Sequence, residues 1–220
     1  MKTIALIHTV MSVASTFGDQ LKAFLGGDVR IFNIWDDFLA LDPKETGVFS
    51  TNNKYRLLQD IKNAELTGAD LIVVSCSTLT PHLKAIRPMI SVPVIAIDDA
   101  MTKKAVETGT KILAVSTAMS TIEPTTSKIL EDAEAAGKAV EVDRKVVLDA
   151  YEAMLAGDMP KHNEILINAV KDVSGYDCIV LAQASMAPCA DAIAEATGVP
   201  VLSSPSLCMA SVKEAIEALN

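Results

Sequence analysis

Short, continuous runs of apolar and β-branched residues recur along the chain, separated by longer stretches with helical spacing. Such runs are typical of strands that are buried on both faces of a parallel sheet. We predict eight strands, over residues 3–7, 29–34, 71–75, 94–97, 111–115, 139–142, 178–182 and 201–203. Alternation of strands and helices favours an α/β fold built from right-handed βαβ units in doubly wound parallel sheets.

The intervening stretches carry apolar residues every three or four positions, which predicts amphipathic helices. We predict helices over residues 16–24, 53–67, 81–86, 100–108, 123–136, 143–156, 162–173, 188–197 and 206–219. Residues 36–52 form the longest segment without a clear period. A long irregular segment of this kind is a candidate lid.

Three segments of the first half return in the same order in the second half. Residues 69–81 return as 176–188 and residues 92–95 as 199–202, both at an offset of 107, and residues 4–9 return as 112–117 at an offset of 108. This repeat predicts two similar α/β domains, 1–98 plus 206–220 and 99–205. Equivalent strand ends of the two copies are then expected to face a shared cleft, which we predict holds the active site.

Composition limits the kind of partner. The net charge of −9 and the 4% of aromatic residues argue against a nucleic-acid partner, which needs a basic face. No stretch approaches the roughly 20 apolar residues of a membrane span. The four cysteines have no metal-ligand spacing and no export signal precedes them, so we expect free thiols, no metal site and a cytoplasmic location.

Cys76 is the strongest candidate for chemistry. It directly follows a predicted buried strand, and Ser77 and Thr78 open the turn into the next helix. Backbone N–H groups and hydroxyls at such a turn suit a carboxylate, and their partial positive charge lowers a thiol's pKa. Cys76 is therefore a candidate base or nucleophile, the alternative being a buried structural cysteine.

The second copy offers an amide in place of that thiol. Gln183 stands where the repeat places the equivalent of Cys76, and Ser185 follows it. Ser116 and Thr117 form a second hydroxyl-rich turn that suits an anion, although helix capping alone would need only one hydroxyl. His8 ends the first strand and titrates near neutrality, so it is a candidate for assisting proton transfer or a merely hydrogen-bonded side chain.

These residues resemble the aspartate/glutamate/hydantoin racemase superfamily over essentially the whole chain. Cys76-Ser77-Thr78 is similar to that family's Cys-Asn-Thr signature, and Ser116-Thr117 to its substrate-binding turn. The family's second signature, Gly-Cys-Thr, aligns with Ala182-Gln183-Ala184, so this chain is identified as a divergent member without the second catalytic cysteine. The resemblance implies two α/β domains with a cofactor-independent active site between them.

The resemblance implies an isomerase that acts on a small carboxylate or amide substrate. Catalysis would be by proton transfer or nucleophilic attack from Cys76, with Ser77, Thr78, Ser116, Thr117, Gln183, Ser185 and His8 binding the substrate. Two-base inversion at carbon needs a proton acceptor on each face, and only one thiol is present here. The alternatives are a one-cysteine lyase, decarboxylase or cis–trans isomerase, a binding protein without turnover, or a racemase in which His8 or His82 replaces the second thiol. A homo-oligomer stays open.

Overall fold

Contacts divide the chain into two units, each with its own parallel sheet. The computed structural model describes residues 1–219. The first unit contains Met1–Ile97 together with the chain from Cys208 onward, and the second contains Asp98–Leu207.

The first unit contains a four-stranded sheet in the order β2-β1-β3-β4, with every pair parallel. Its strands are β1 (Lys2–His8), β2 (Val29–Trp35), β3 (Leu71–Val74) and β4 (Val94–Ala96). Its helices are α1 (Met11–Ala14), α2 (Phe17–Leu25), α3 (Phe38–Thr46), α4 (Thr51–Leu66) and α5 (Thr80–Ile86). Residues 208–218 of this unit belong to the last helix, α11 (Ser204–Ala218).

The second unit repeats this topology, with a parallel sheet in the order β6-β5-β7-β8. Its strands are β5 (Lys111–Ser116), β6 (Glu141–Val146), β7 (Cys178–Leu181) and β8 (Val201–Ser203). Its helices are α6 (Asp99–Thr108), α7 (Met119–Ala135), α8 (Leu148–Leu155), α9 (Met159–Val170) and α10 (Ala190–Thr197).

The predicted fold class of two doubly wound α/β units is confirmed. In the second unit, helices cover both sheet faces: one core packs β5 and β7 against α8, α9 and α10, and another packs them against α6 and α7. In the first unit, Leu57 and Ile61 of α4 are fully buried against β1 and β3. Burial of each such side chain stabilises the fold by about 1.5–3 kcal/mol.

The duplication extends to single hydrogen bonds. Asp70 precedes β3, and its Oδ2 accepts from the backbone N–H of Thr3 at 2.8 Å. Its equivalent, Asp177, precedes β7 and accepts from the backbone N–H of Thr110 at 2.7 Å and of Lys111 at 2.8 Å. Each aspartate therefore ties the start of its own strand to the start of the neighbouring central strand.

Two predicted segments differ from the structure. The helix expected over 143–156 begins only at Leu148, because residues up to Val146 continue β6. β6 is an edge strand of mixed polar composition, so it lacks the apolar run that identifies central strands. Residues 36–52 include α3, which the sequence pattern does not predict. Its apolar residues do not gather on one face of the helix and it contains Pro43, so no helical period is visible. The four-residue α1 was also not predicted.

α3 packs against α4 through specific side-chain contacts. Leu39 is fully buried in the first unit's core, Asp42 Oδ2 accepts from Asn53 Nδ2 at 2.9 Å, and the Arg56 guanidinium lies 5.1 Å from the Phe38 ring centre. In the part of the chain described, no helix has both the length and the apolar character needed to cross a membrane.

Candidate active site

The strand order places a crevice at the same point in each sheet. In the first unit, β1 and β3 are central neighbours, and the chain leaves them toward opposite edges of the sheet. Ligands of open α/β sheets bind beyond the carboxyl ends of strands at such a switch point. The residues that follow β1 and β3, among them Thr9 and Cys76, are therefore placed for binding, as are Thr117 and Gln183 beyond β5 and β7.

Cys76 continues the extended direction of β3, with φ −128° and ψ 116°, and begins a short 3₁₀ helix over Ser77–Leu79. The residue is partly exposed and packs against the first unit's core, while its sulfur is closely surrounded by protein. Ser77 is buried and Thr78 is half-buried. The structure therefore places Cys76 at the end of a buried strand, where the sequence predicts it.

The electrostatic environment of Cys76 differs from the sequence expectation. Burial raises the pKa of the thiol above its usual value, although neighbouring donor groups act in the opposite direction. These groups are the Thr9 hydroxyl, the N–H and hydroxyl of Thr78, and the N–H of Leu79. The expectation of a lowered pKa was wrong because it counted the donors at the helix start and omitted the cost of charging a desolvated sulfur.

Thr9 is a further candidate site residue that does not stand out in the sequence. Since Ile7 pairs with Val74 in parallel register, two further residues bring Thr9 opposite Cys76. The Thr9 hydroxyl is buried, makes no hydrogen bond of standard geometry within residues 1–219, and lowers the pKa of Cys76. The sequence does contain a signal for Thr9, because the repeat maps it onto Thr117, which is a candidate binding residue.

The two histidines of this unit lie in different surroundings. His8 is fully buried, with Nδ1 2.6 Å from Ser75 Oγ and Nε2 3.0 Å from Asn33 Oδ1. Burial lowers its pKa, so the ring is neutral at pH 7. His82 stacks on Phe49 at 3.9 Å between ring centres, and burial, assisted by Lys54, lowers its pKa to about 4.

Gln183 in the second unit adopts the same extended conformation as Cys76, with φ −131° and ψ 138°, and also precedes a 3₁₀ helix, Ala184–Cys189. Its Oε1 accepts hydrogen bonds from Ser116 and Thr117. Ser116 and Thr117 are each 0% exposed, whereas Gln183 and Ser185 are half-buried. The structure thus groups Ser116, Thr117 and Gln183, and the two buried hydroxyl groups contact the oxygen of the Gln183 amide.

A cluster of charged side chains that the sequence analysis did not identify lies beyond β2. Asp36, which is 6% exposed, pairs with Arg56 of α4. Asp60 lies one helical turn further along α4, and its pKa is raised to about 7 by burial and by a hydrogen bond to Asp36. One oxygen of each carboxyl, Asp36 Oδ1 and Asp60 Oδ2, is buried with no conventional donor. The two carboxyl groups therefore share a proton.

The shared proton predicts a pH-dependent stability. Folded Asp60 keeps its proton up to about pH 7, whereas the unfolded chain loses it near the ordinary value of about 3.9. The contribution to stability is therefore fully present below about pH 4 and is lost as the pH rises through about 7. Asp60→Asn keeps a donor toward Asp36 but cannot titrate. Between about pH 5 and pH 8, we expect the wild-type Tm to fall by about 2–4 °C more than the variant's.

Calorimetry at several pH values measures this difference. Asp19→Asn removes an exposed carboxylate from α2 and serves as the matched control, with the wild-type pH dependence. An equal slope of Tm against pH in the wild type and in Asp60→Asn would contradict the shared proton.

No three His, Cys, Asp or Glu side chains come together as a candidate metal site within residues 1–219. The four cysteines are all free thiols, and Cys178, Cys189 and Cys208 are buried. Burial raises the pKa of Cys178 to about 11 and also raises that of Cys189. Cys76 is therefore the partly exposed residue among the four cysteines.

Comparison with known proteins agrees with this geometry. The family model described as Asp/Glu/Hydantoin racemase matches residues 8–212. The chain belongs to this family. The match includes the central strands β3, β5 and β7, and with them Cys76 and Gln183.

Individual relatives agree with the family. A hydantoin racemase from Rhizobium meliloti is 30% identical over 150 residues, which are 66% of this chain and 60% of the relative. The match thus spans less than two thirds of that relative. An allantoin racemase from Klebsiella pneumoniae has a TM-score of 0.66 at 22% identity, covering 100% of this chain and 89% of that one. A glutamate racemase from Bacillus anthracis has a TM-score of 0.72 at 15% identity, covering 100% and 83%. At these identities the two structures show a shared fold.

Proposed function

We propose that this racemase-family protein transfers a proton at a carbon atom of a small carboxylate or amide substrate, without a cofactor, and that Cys76 is the acid–base group. The observation that carries the proposal is the environment of Cys76, a partly exposed residue at the switch point of its sheet, whose sulfur is contacted by the Thr9 hydroxyl and the Thr78 N–H. Donors aimed at a sulfur stabilise the thiolate that remains after the proton has left.

The protonation state favours one direction of transfer. Because burial raises the pKa of Cys76, the resting sulfur carries its proton at neutral pH. It is therefore ready to deliver that proton to a carbanion or enolate carbon: the S–H bond breaks, the C–H bond forms, and the thiolate remains among its donors. Removal of a substrate proton by the same group is the reverse step and begins from the thiolate.

The class of substrate is proposed from the relatives. They are named as racemases of hydantoin, allantoin and glutamate, which are small molecules with carboxylate or cyclic amide groups. Each carries an acidic C–H next to a carbonyl carbon, where loss of the proton gives a resonance-stabilised anion. We propose a substrate with this arrangement for the present chain.

A second candidate is a one-cysteine reaction, such as decarboxylation or cis–trans isomerisation. It is favoured by Gln183, which occupies the repeat position equivalent to Cys76 and carries an amide that neither gives nor takes a proton near neutral pH. A single thiol that removes and returns a proton exchanges it without inverting the carbon.

Exchange in heavy water tests the proposal. We expect the α-hydrogen of one enantiomer of an amino acid or hydantoin to be replaced by deuterium, observed as loss of its proton NMR signal. Optical rotation then separates the candidates, since racemisation abolishes it and one-sided exchange preserves it. Malonates belong in the panel because decarboxylation releases carbon dioxide from them. Ligand-induced stabilisation with neither exchange nor release would overturn the proposal and identify a binding protein.

A further inference from the structure

The Gln183 side chain is held by one of its two polar atoms. Oε1 accepts from the Thr117 backbone N–H at 2.7 Å, from Thr117 Oγ1 at 2.8 Å and from Ser116 Oγ at 3.0 Å. All three donors come from the two residues at the junction between β5 and the turn that follows it. Fully buried groups therefore hold the amide in place through its oxygen.

The orientation of the amide follows from the donors. A backbone N–H can only donate, so the atom 2.7 Å from Thr117 N must be the oxygen and not the nitrogen. The hydroxyl protons agree with this assignment. Ser116 Oγ can accept from the Ala118 N–H at 3.1 Å and from Thr121 Oγ1 at 2.5 Å, and its own proton is within reach of both Gln183 Oε1 at 3.0 Å and the Ala118 carbonyl at 2.8 Å.

The other end of the amide is consequently presented outward. With Oε1 fixed, the planar group places Nε2 and its two N–H bonds on the side away from Thr117. Nε2 donates to no side chain or backbone carbonyl within residues 1–219, and the residue is half-buried. An unused donor on a rigidly held side chain at the switch point of the sheet is suited to an acceptor from outside the protein.

We propose that Gln183 is a substrate ligand whose Nε2 donates to a carbonyl or carboxylate oxygen, and that Ser116 and Thr117 are positioning residues that hold its amide. This rests on the proposed function, because the oxygen belongs to that substrate. Ser116 and Thr117 then act through Gln183, whereas the sequence pattern predicts that they bind the substrate directly. The site selects an acceptor at this point and disfavours an ammonium group.

Gln183→Glu tests the polarity of the presented atom. The glutamate keeps an oxygen for the three donors but replaces the outward NH₂ with a second, negatively charged oxygen. We expect it to keep its Tm while KM for a carboxylate or hydantoin substrate rises about tenfold or more, the effect of losing a hydrogen bond to a charged group. Gln20→Glu makes the same charge change on exposed α2 and should match the wild type.

The positioning role has its own measurement. Thr117→Val removes one donor, and Thr117→Ser restores the hydroxyl. If Thr117 acts by holding the amide, KM should rise in the valine variant and return in the serine variant, with kcat changing less. A raised KM in both variants, or in neither, would overturn the positioning role.

Direct observation of the amide separates this inference from the proposed function. The side-chain ¹⁵N–H₂ signal of Gln183, assigned with Gln183→Glu, should shift when malonate or hydantoin is titrated into the wild-type protein. An unmoved signal with both probes would overturn the inference, even if exchange in heavy water occurs. A shift without exchange would support the ligand role and contradict the catalytic proposal instead.

Discussion

Replacing Cys76 with serine is expected to lower the rate of proton exchange by about 10²–10⁴-fold, the usual contribution of a positioned acid–base group. Serine is similar in size and keeps the donors of Thr9 and Thr78, so the substrate still binds. However, a hydroxyl holds its proton far more tightly than a thiol and cannot release it near neutral pH. Single-turnover exchange in heavy water measures the loss, and substrate-induced changes in Tm confirm that binding persists.

A second thiol provides the matched control. Cys189 is buried in the core of the second unit, and Cys189→Ala removes a sulfur without altering the surroundings of Cys76. We expect its rate per folded molecule to equal that of the wild type. If Cys76→Ser retained more than about a tenth of the wild-type rate, the sulfur would not be the proton carrier.

The pH profile identifies the direction in which the thiol works. Because the pKa of Cys76 is raised, its proton is present throughout the neutral range. A step that uses the thiol as acid keeps its rate up to that raised pKa and slows above it, whereas a step that uses the thiolate as base accelerates with pH toward it. A decarboxylation measured from neutral to alkaline pH should show the first profile, and proton abstraction the second.

The fold could be predicted from the sequence because its central strands are apolar on both faces. β1, β3, β5 and β7 each have a neighbour on both sides and helices on their faces, so their residues form continuous apolar runs. Because the chain contains a duplication, the second sheet is expected to have the same strand arrangement as the first. The polar edge strand β6 escaped the same reasoning because it has one neighbour and exposed positions.

The sequence predicts a candidate site residue only where its position follows from the order of strands and turns along the chain. Cys76 and Gln183 each stand directly after a buried strand, and in a parallel sheet the carboxyl ends of the strands lie at the same edge of that sheet. Distant residues decide how the groups behave. Burial of the Cys76 sulfur depends on packing across the first unit, and the proton shared by Asp36 and Asp60 depends on α4 passing beyond the end of β2.

Gly109→Ala is expected to produce the largest loss of stability. Gly109 ends α6 and precedes β5, and a Cβ at this position would lie closer to the Cβ of Asp177 than real atoms approach. Asp177 cannot easily move aside, because its carboxylate accepts from the N–H groups of Thr110 and Lys111. We expect a loss of about 3 kcal/mol or more, as in severe overpacking. Calorimetry should show a Tm lower by about 6–12 °C.

Gly27→Ala is the matched control, because a Cβ there meets its nearest atom, the Leu25 carbonyl oxygen, at an ordinary 3.6 Å. It should change stability by less than about 0.5 kcal/mol. A double-mutant cycle then isolates the cause. Asp177→Gly removes the atoms that would collide, so adding Gly109→Ala in that background should cost much less than in the wild type. Equal costs in both backgrounds would show that the loss has another origin than the approach of these two residues.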